Sequence, residues 1–233
     1  MTKSWLETWT MNSFPGLLSD AIAFDMLAKE KDKLDFPTVN RYAKASVTNS
    51  ILSLESAANS CITRMTYPEL VKTQLDKLSV LEKYDVLFTA RFGKSVDRGS
   101  KPFQVVKELF SLRNRYVHPK LEKIKTKITI DKNGDKIYEK EPEHRKNTSI
   151  LKIPKDFNSW TGEHSKIVIK EVIEFYNHFF SLLCKLNPVE CSELLAIYVK
   201  GPSNPATFLA TNEVEIFKQA ESYYKVNIKF LVL

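Results

Sequence analysis

The feature that most constrains the fold is a long run of apolar residues that recur three and four positions apart. The members of this run are Val39, Ala43, Val47, Ile51, Leu54, Ala58, Cys61, Ile62 and Met65. This spacing places them on one face of a single long α-helix, and that face requires other elements to bury it. Pro37 suits the first turn of the helix, because the N–H that proline lacks is not needed there. The sequence therefore predicts a mainly α fold.

Other segments carry patterns that predict further helices. They cover residues 16–33, a stretch that begins at Pro68, and residues 101–118, 164–186, 190–199 and 212–224. Ser79 followed by Glu82 is a capping-box pattern, which indicates the start of another helix. The apolar residues of the 164–186 helix cover most of its circumference, so this helix is expected to be central or to lie at a subunit interface.

The segment between the 101–118 and 164–186 helices has a different character. Ile128 and Ile130 alternate with polar residues, and Asn133-Gly134 is typical of a type I′ turn. This predicts a β-hairpin inserted between two helices at about 124–153. The last apolar run, residues 226–233, is expected to be a strand. We expect residues 1–187 to form one helical domain and residues 188–233 to form an extension packed on it.

The positive charge of the chain is concentrated in one segment. Residues 91–125 contain ten Lys and Arg and three acidic residues, which accounts for the whole formal net charge of +7. A local positive field favours polyanions such as RNA, DNA or a nucleotide phosphate. A solvated, Lys-rich surface has the same composition, so charge alone does not decide between the two.

The cysteines and the apolar runs bear on the compartment. Cys61, Cys184 and Cys191 are odd in number and are expected to be reduced thiols in a cytoplasmic protein. The sequence has neither a CxxC motif nor Cys/His spacing typical of zinc, so no metal and no cofactor is expected. Residues 1–19 do not have the pattern of a signal peptide, and no apolar stretch is long enough for a membrane span.

The candidate chemical site is the segment Arg113-Asn114-Arg115-Tyr116-Val117-His118. Pro119 predicts that the helix ends at this segment. A histidine exchanges protons near neutral pH, and the planar arginine fork matches a phosphate group. His118 can therefore take the proton of a ribose 2′-OH, while Arg113 stabilises charge on the phosphorus oxygens. Composition and spacing are also met by a purely structural role, in which Arg113 bonds the helix end and His118 bonds backbone carbonyls.

This segment resembles the Arg-x4–6-His signature of the HEPN superfamily (higher eukaryotes and prokaryotes nucleotide-binding), usually Arg-Asn-x-x-x-His at a helix end. The upstream stretch Ile51-Leu52-Ser53-Leu54-Glu55-Ser56-Ala57-Ala58-Asn59 resembles the apolar helix of that family, which carries an embedded Glu and a later Asn. The resemblance covers roughly residues 37–187 and leaves the hairpin as an insertion.

The resemblance implies an antiparallel helical bundle, often a homodimer in which two motifs face each other and form one composite site. It implies a metal-independent endoribonuclease in a toxin or antiviral-defence context, with an antitoxin or a defence-system protein as partner. Arg113 and His118 would carry the chemistry and Asn114 would orient His118. The cations that would attract the RNA backbone are Arg115, Lys120 and Lys123. One toxin subgroup has Tyr where this chain has Lys120, so regulation through such a Tyr is not expected.

Other members of the superfamily have lost catalysis, so membership alone does not decide activity. The alternative function is therefore a non-catalytic module that binds a nucleotide, RNA or a protein. In a third interpretation the motif only braces a helical scaffold.

Two residues of the upstream helix are expected to support the site. Glu55 either faces the motif and pairs with Arg113 or Arg115, or lies at the edge of the apolar stripe and bonds Asn59, one turn further on.

Overall fold

The computed structural model describes residues 8–31, 35–119, 126–140, 146–200 and 206–233. This part of the chain is mainly α-helical with two small antiparallel sheets, so the predicted fold class is confirmed. Within it, no helix combines the length and the apolar character that crossing a membrane requires.

The first two helices, α1 (Phe14–Lys31) and α2 (Phe36–Arg64), pack against each other. The structure confirms the predicted long helix, with Pro37 in its first turn. Nearly all of the predicted apolar stripe is buried, and three serines of α2 are buried with it. The Ser53 hydroxyl lies 2.9 Å from the Tyr176 hydroxyl, which links α2 to the centre of the molecule.

Three helices follow: α3 (Glu69–Asp76), α4 (Val80–Phe92) and α5 (Lys101–Val117). The predicted capping box begins α4: the Glu82 carboxylate accepts from the Ser79 backbone N–H, and the Ser79 hydroxyl accepts from the Glu82 N–H. Gly93 ends α4 with φ 67°, a left-handed conformation that glycine adopts without strain.

The 164–186 region forms α6 (Gly162–Tyr176) and a π-helical continuation, Asn177–Leu183. Of the two predicted positions for this region, the central one is confirmed. Phe175, Tyr176, Phe179 and Phe180 are almost completely buried, and the first three meet rings of other elements edge-on, Tyr84 or Phe14. Most of the apolar circumference is therefore covered within a single chain, while Leu182 is 66% exposed.

Contacts along α6 give the directions of the helices around it. Asn40 near the start of α2 bonds the Trp160 carbonyl just before α6, while Ser53 meets Tyr176 at the far end of α6. Helices α2 and α6 therefore run in the same direction. Helix α5 runs the opposite way, because Phe103 near its start meets Phe175, while Tyr116 near its end meets Phe157, which precedes α6. Helix α1 also runs opposite to α6, since Phe14 meets Tyr176 and Asp25 meets Ser165.

A three-stranded sheet brings the two ends of the chain together. Its strands are β1 (Thr8–Thr10), β4 (Ile197–Lys200) and β5 (Ala206–Phe208), in the order β1-β4-β5. The predicted helix over 190–199 is wrong in its second half: α7 (Pro188–Leu195) ends, and β4 begins two residues later. Residues 197–199 are β-branched or aromatic, and they pair with a strand on each side.

The predicted hairpin is present as β2 (Thr126–Ile130) and β3 (Lys136–Lys140), but its turn is not type I′. A type I′ turn needs positive φ at both central residues, and in this loop only Gly134 has it, at 86°. The Asp131 carboxylate accepts from the N–H groups of Asn133 and Asp135, both at 2.8 Å. This side-chain cap closes a longer loop between Ile130 and Lys136, the last paired residues.

The C-terminal segment follows α8 (Thr211–Tyr224) and is not a strand, contrary to the prediction. Val226, Ile228 and Phe230 are buried alternately, which is the pattern that predicted a strand. Its backbone groups are instead satisfied by side chains. The Asn177 amide donates to the Asn227 carbonyl and accepts from the Lys229 N–H, at 2.7 and 2.9 Å.

Candidate functional site

The motif occupies the last turn of α5, where the predicted end of the helix is confirmed. His118 is the first residue beyond the helix, and its backbone N–H donates to the Asn114 carbonyl at 2.9 Å. This bond satisfies one of the carbonyls that a helix end leaves unpaired. Pro119 follows and cannot continue the helix. The side chains of Asn114, Arg115 and His118 are exposed, and Arg113 is half-buried.

An aromatic contact fixes this end of α5 against the bundle. The ring of Tyr116 meets that of Phe157 edge-to-face, with centroids 5.0 Å apart. The Lys44 ammonium of α2 lies 5.2 Å from the Phe157 ring centre and donates to the Asn158 side chain. The motif therefore shares its end of the bundle with a further cation, Lys44, that the sequence did not single out.

A second anchor lies further back on α5. The Glu108 carboxylate accepts from the backbone N–H groups of Ser149, Ile150 and Leu151 and from the Ser149 hydroxyl. Partial burial raises the pKa of Glu108, but these hydrogen bonds outweigh it and hold that pKa below its usual value. Glu108 thus ties α5 to the segment that returns from the hairpin. Sequence reasoning missed it, because a lone Glu on a helix carries no pattern that marks its partners.

The expected contact between Asn114 and His118 is made by the backbone and not by the side chain. Arg113 Nη1 donates to Asn114 Oδ1 at 3.3 Å. Among the described residues, no hydrogen bond to the His118 ring is found. The structure therefore brings Arg113 and Asn114 together and leaves the imidazole of His118 open to solvent.

The expected backbone-binding cations are only partly within the described residues. Arg115 is exposed and engaged in a contact with another group. Lys120 and Lys123 lie outside the described residues. Arg113, Arg115 and Lys44 give this end of the bundle a positive character.

The two supporting residues on α2 form no hydrogen bond or ion pair with the described residues of the motif. Glu55 is half-buried and forms no hydrogen bond or ion pair with any described residue, so neither pairing expected for it is present. It follows Lys44 by eleven residues, which is about 16 Å along a helix axis. The Asn59 side chain instead accepts from the buried Lys83 ammonium of α4 at 2.6 Å. Asn59 therefore helps to hold α2 and α4 together.

The described residues contain no group of three or more His, Cys, Asp or Glu side chains that could hold a metal ion. The three cysteines are buried and free, and burial raises the pKa of Cys184 to about 11 and that of Cys191 to about 12. Their thiols are therefore protonated near neutral pH, which makes them poor nucleophiles.

Comparisons with known proteins add no relative. No family model matches this chain, no curated protein matches it, and no solved structure matches it. The resemblance to the HEPN superfamily consequently rests on the sequence alone, on the motif and on the stretch from Ile51 to Asn59.

Proposed function

We propose that the protein is a metal-independent endoribonuclease of the HEPN type, in which His118 is the general base and Arg113 stabilises the transition state. The observation that carries the proposal is the exposed imidazole of His118 at the cationic end of α5. A general base must be reachable by the substrate, and a permanent cation at the same helix end suits a phosphate.

The proposed chemistry is an attack of the ribose 2′-oxygen on the adjacent phosphorus. His118 takes the 2′-hydroxyl proton as the new O–P bond forms, and Arg113 stabilises the negative charge on the non-bridging oxygens. The 5′-oxygen of the next nucleotide then leaves with a proton from water or from a second imidazole. The products are a 2′,3′-cyclic phosphate and a 5′-hydroxyl end.

A second copy of the chain would supply what one chain lacks. Asn114 Oδ1 accepts from Arg113, so no described side chain orients the His118 ring within one chain. A general base is normally oriented by a further group. In a homodimer that joins two α5 ends, the second motif would provide that group and a second imidazole. Val117, 46% exposed beside His118, offers an apolar contact for such a pairing.

The resemblance suggests the biological setting. A ribonuclease of this type would act as a toxin or as an antiviral effector, and its partner would be an antitoxin or a defence-system protein. In this proposal Arg115 and Lys44 attract the RNA backbone, because exposed cations bind phosphates without regard to sequence.

The test is cleavage of single-stranded RNA in EDTA by wild type, His118→Ala and Arg113→Lys. Removing a general base costs about 10²–10⁴-fold in rate, so His118→Ala should show no detectable cleavage. Arg113→Lys should also fail, because an ammonium does not reproduce the bidentate fork. Arg98→Lys is the matched control, because it makes the same change in the loop before α5, away from the motif, and keeps a cation beside Asp85.

The second candidate function is a non-catalytic module that binds RNA or a nucleotide. The absence of a described orienting group for His118 favours it. Under this alternative, RNA would bind to wild type and to His118→Ala alike, and any cleavage would be equal in the two preparations.

A further inference from the structure

A cavity of about 240 Å³ lies at the end of the bundle opposite the motif. It is open to solvent on one side and is bordered by the last turns of α2 and α4, the π-helical segment and α7. Its apolar lining includes Cys61, Leu87, Phe179, Phe180, Cys184 and Leu194. Arg64 on its rim follows Lys44 by twenty residues of α2, which is about 30 Å along a helix axis. The cavity is therefore separate from the proposed catalytic site.

Two arginines line this otherwise apolar cavity, Arg64 and Arg91. Arg64 donates to the Ala196 carbonyl at 3.1 Å and lies 5.6 Å from the ring centre of Tyr198. The Arg91 guanidinium lies 5.7 Å from the ring centre of Phe92. Neither forms an ion pair with an acidic side chain anywhere in the described part of the chain. Two cations without a carboxylate partner give the mouth of the cavity a positive potential that favours an anion.

The cavity wall contains the π-helical segment. There the Cys184 N–H bonds the Phe179 carbonyl at 2.9 Å, five residues back, and the Leu186 N–H bonds the Phe180 carbonyl at 3.0 Å. A π-helical turn is rare and frequently occurs at functional sites. Here the segment presents both phenylalanines to the cavity.

We propose that this cavity binds a small amphipathic carboxylate, with its apolar body among the phenylalanines and leucines and its carboxylate on Arg91 and Arg64. The guanidinium fork matches a carboxylate in geometry and in charge. The volume suits a ring with a short chain, because an apolar protein cavity of about 150 Å³ already holds a benzene molecule. The site is independent of the RNA-cleaving function.

The test uses 4-phenylbutyrate as the probe and isothermal titration calorimetry on the full chain. Its neutral analogue, 4-phenylbutan-1-ol, has the same body without the charge. We expect 4-phenylbutyrate to bind at one site, and the alcohol to bind about ten-fold more weakly or worse, because hydrogen bonds to charged groups are the stronger ones. Arg91→Gln should cause a similar loss, while Arg41→Gln, an exposed arginine on α2 away from the cavity, should cause none.

A further variant tests the location without removing a charge. Ala90 is exposed at the mouth of the cavity, so Ala90→Trp should block entry and abolish binding while leaving the urea unfolding midpoint nearly unchanged. Three results would overturn the proposal: no binding of 4-phenylbutyrate at millimolar concentration, equal binding of the alcohol, or binding that survives both Arg91→Gln and Ala90→Trp. The comparison of 4-phenylbutyrate with the alcohol uses wild-type protein only, so its result does not depend on whether a variant folds.

Discussion

Replacing Glu108 by glutamine tests how α5, the helix that carries the motif, is held in place. The carboxylate accepts from Ser149 N, Ile150 N and Leu151 N at 2.6, 3.2 and 2.8 Å, and from the Ser149 hydroxyl at 2.9 Å. Glutamine has nearly the same shape but only one acceptor oxygen, and its amide nitrogen would face N–H groups. The change therefore removes acceptor capacity and charge without creating a cavity.

The magnitude follows from the number and exposure of these bonds. A hydrogen bond to a charged group contributes about 1.5–3 kcal/mol when buried, and an ordinary one about 1 kcal/mol. Glu108 and Ser149 are partly open to solvent, so water can replace some of the hydrogen bonds that the glutamine variant loses. We expect Glu108→Gln to lower the free energy of unfolding by about 1.5–2 kcal/mol.

Urea unfolding at neutral pH measures this loss, and Glu171→Gln is the matched control. Glu171 pairs with Lys101 on the surface at 2.7 Å, and such a pair contributes about 0–1 kcal/mol. Because the pKa of Glu108 is lowered in the folded state, its contribution is present above its unfolded pKa and is lost as the pH falls through its folded pKa. The gap between wild type and Glu108→Gln should therefore close on acidification. Equal losses in both variants, or a gap independent of pH, would refute the reasoning.

Three further outcomes are expected. Burial raises the pKa of Asp25, although hydrogen bonds from the hydroxyls of Ser165 and Tyr224 oppose this, so ionisation of Asp25 destabilises the folded state. The free energy of unfolding of Asp25→Asn, measured in urea, should therefore rise relative to that of wild type as the pH rises through this pKa. Tyr116→Leu, which removes the edge-to-face ring contact, should lower the free energy of unfolding by about 1 kcal/mol, with Tyr116→Phe nearly neutral. If Arg115 binds an RNA phosphate, Arg115→Ala in a non-cleaving background should reduce the slope of log K against log salt by about 0.7 in a fluorescence anisotropy titration.

The helices could be predicted from the sequence because the residues that specify each of them lie close together in the chain. The stripe of α2 and the Ser79 capping box each fix a helix through contacts within a few turns, and both are present as predicted. The end of α5 at His118 also follows from a local cause, the proline after it.

The β structure depended on partners distant in sequence. β4 has strand character only because β1 and β5 flank it, and β1 lies almost the whole chain length away. The segment after α8 alternates as a strand would, but Asn177, Asn227 and Lys229 complete its hydrogen bonds through a side chain instead. The hairpin turn depended on Asp131, whose carboxylate outweighs the preference of Asn-Gly for a type I′ turn.

The candidate site was predictable in its residue types and place on the helix, but not in its connections. The Arg113–His118 spacing marks the segment, whereas the links of Asn114 to Arg113 and of Asn59 to Lys83 depend on rotamers and on packing between helices. The pairing expected for Glu55 required a particular axial position of α2 relative to α5, so that Glu55 and the motif lie side by side. The periodicity within one helix does not specify this relative axial position.

The most direct test of the proposed chemistry is whether the 2′-hydroxyl is the nucleophile. The substrate is a DNA oligonucleotide with a single ribonucleotide, compared with the same oligonucleotide carrying a 2′-O-methyl group there, both incubated with wild type in EDTA. Mass spectrometry of the products should show cleavage only of the first, only on the 3′ side of the ribonucleotide, with a 2′,3′-cyclic phosphate and a 5′-hydroxyl end. His118→Ala should leave both intact. Cleavage of the 2′-O-methyl oligonucleotide, 5′-phosphate ends, or equal cleavage by His118→Ala would contradict the proposed role of His118.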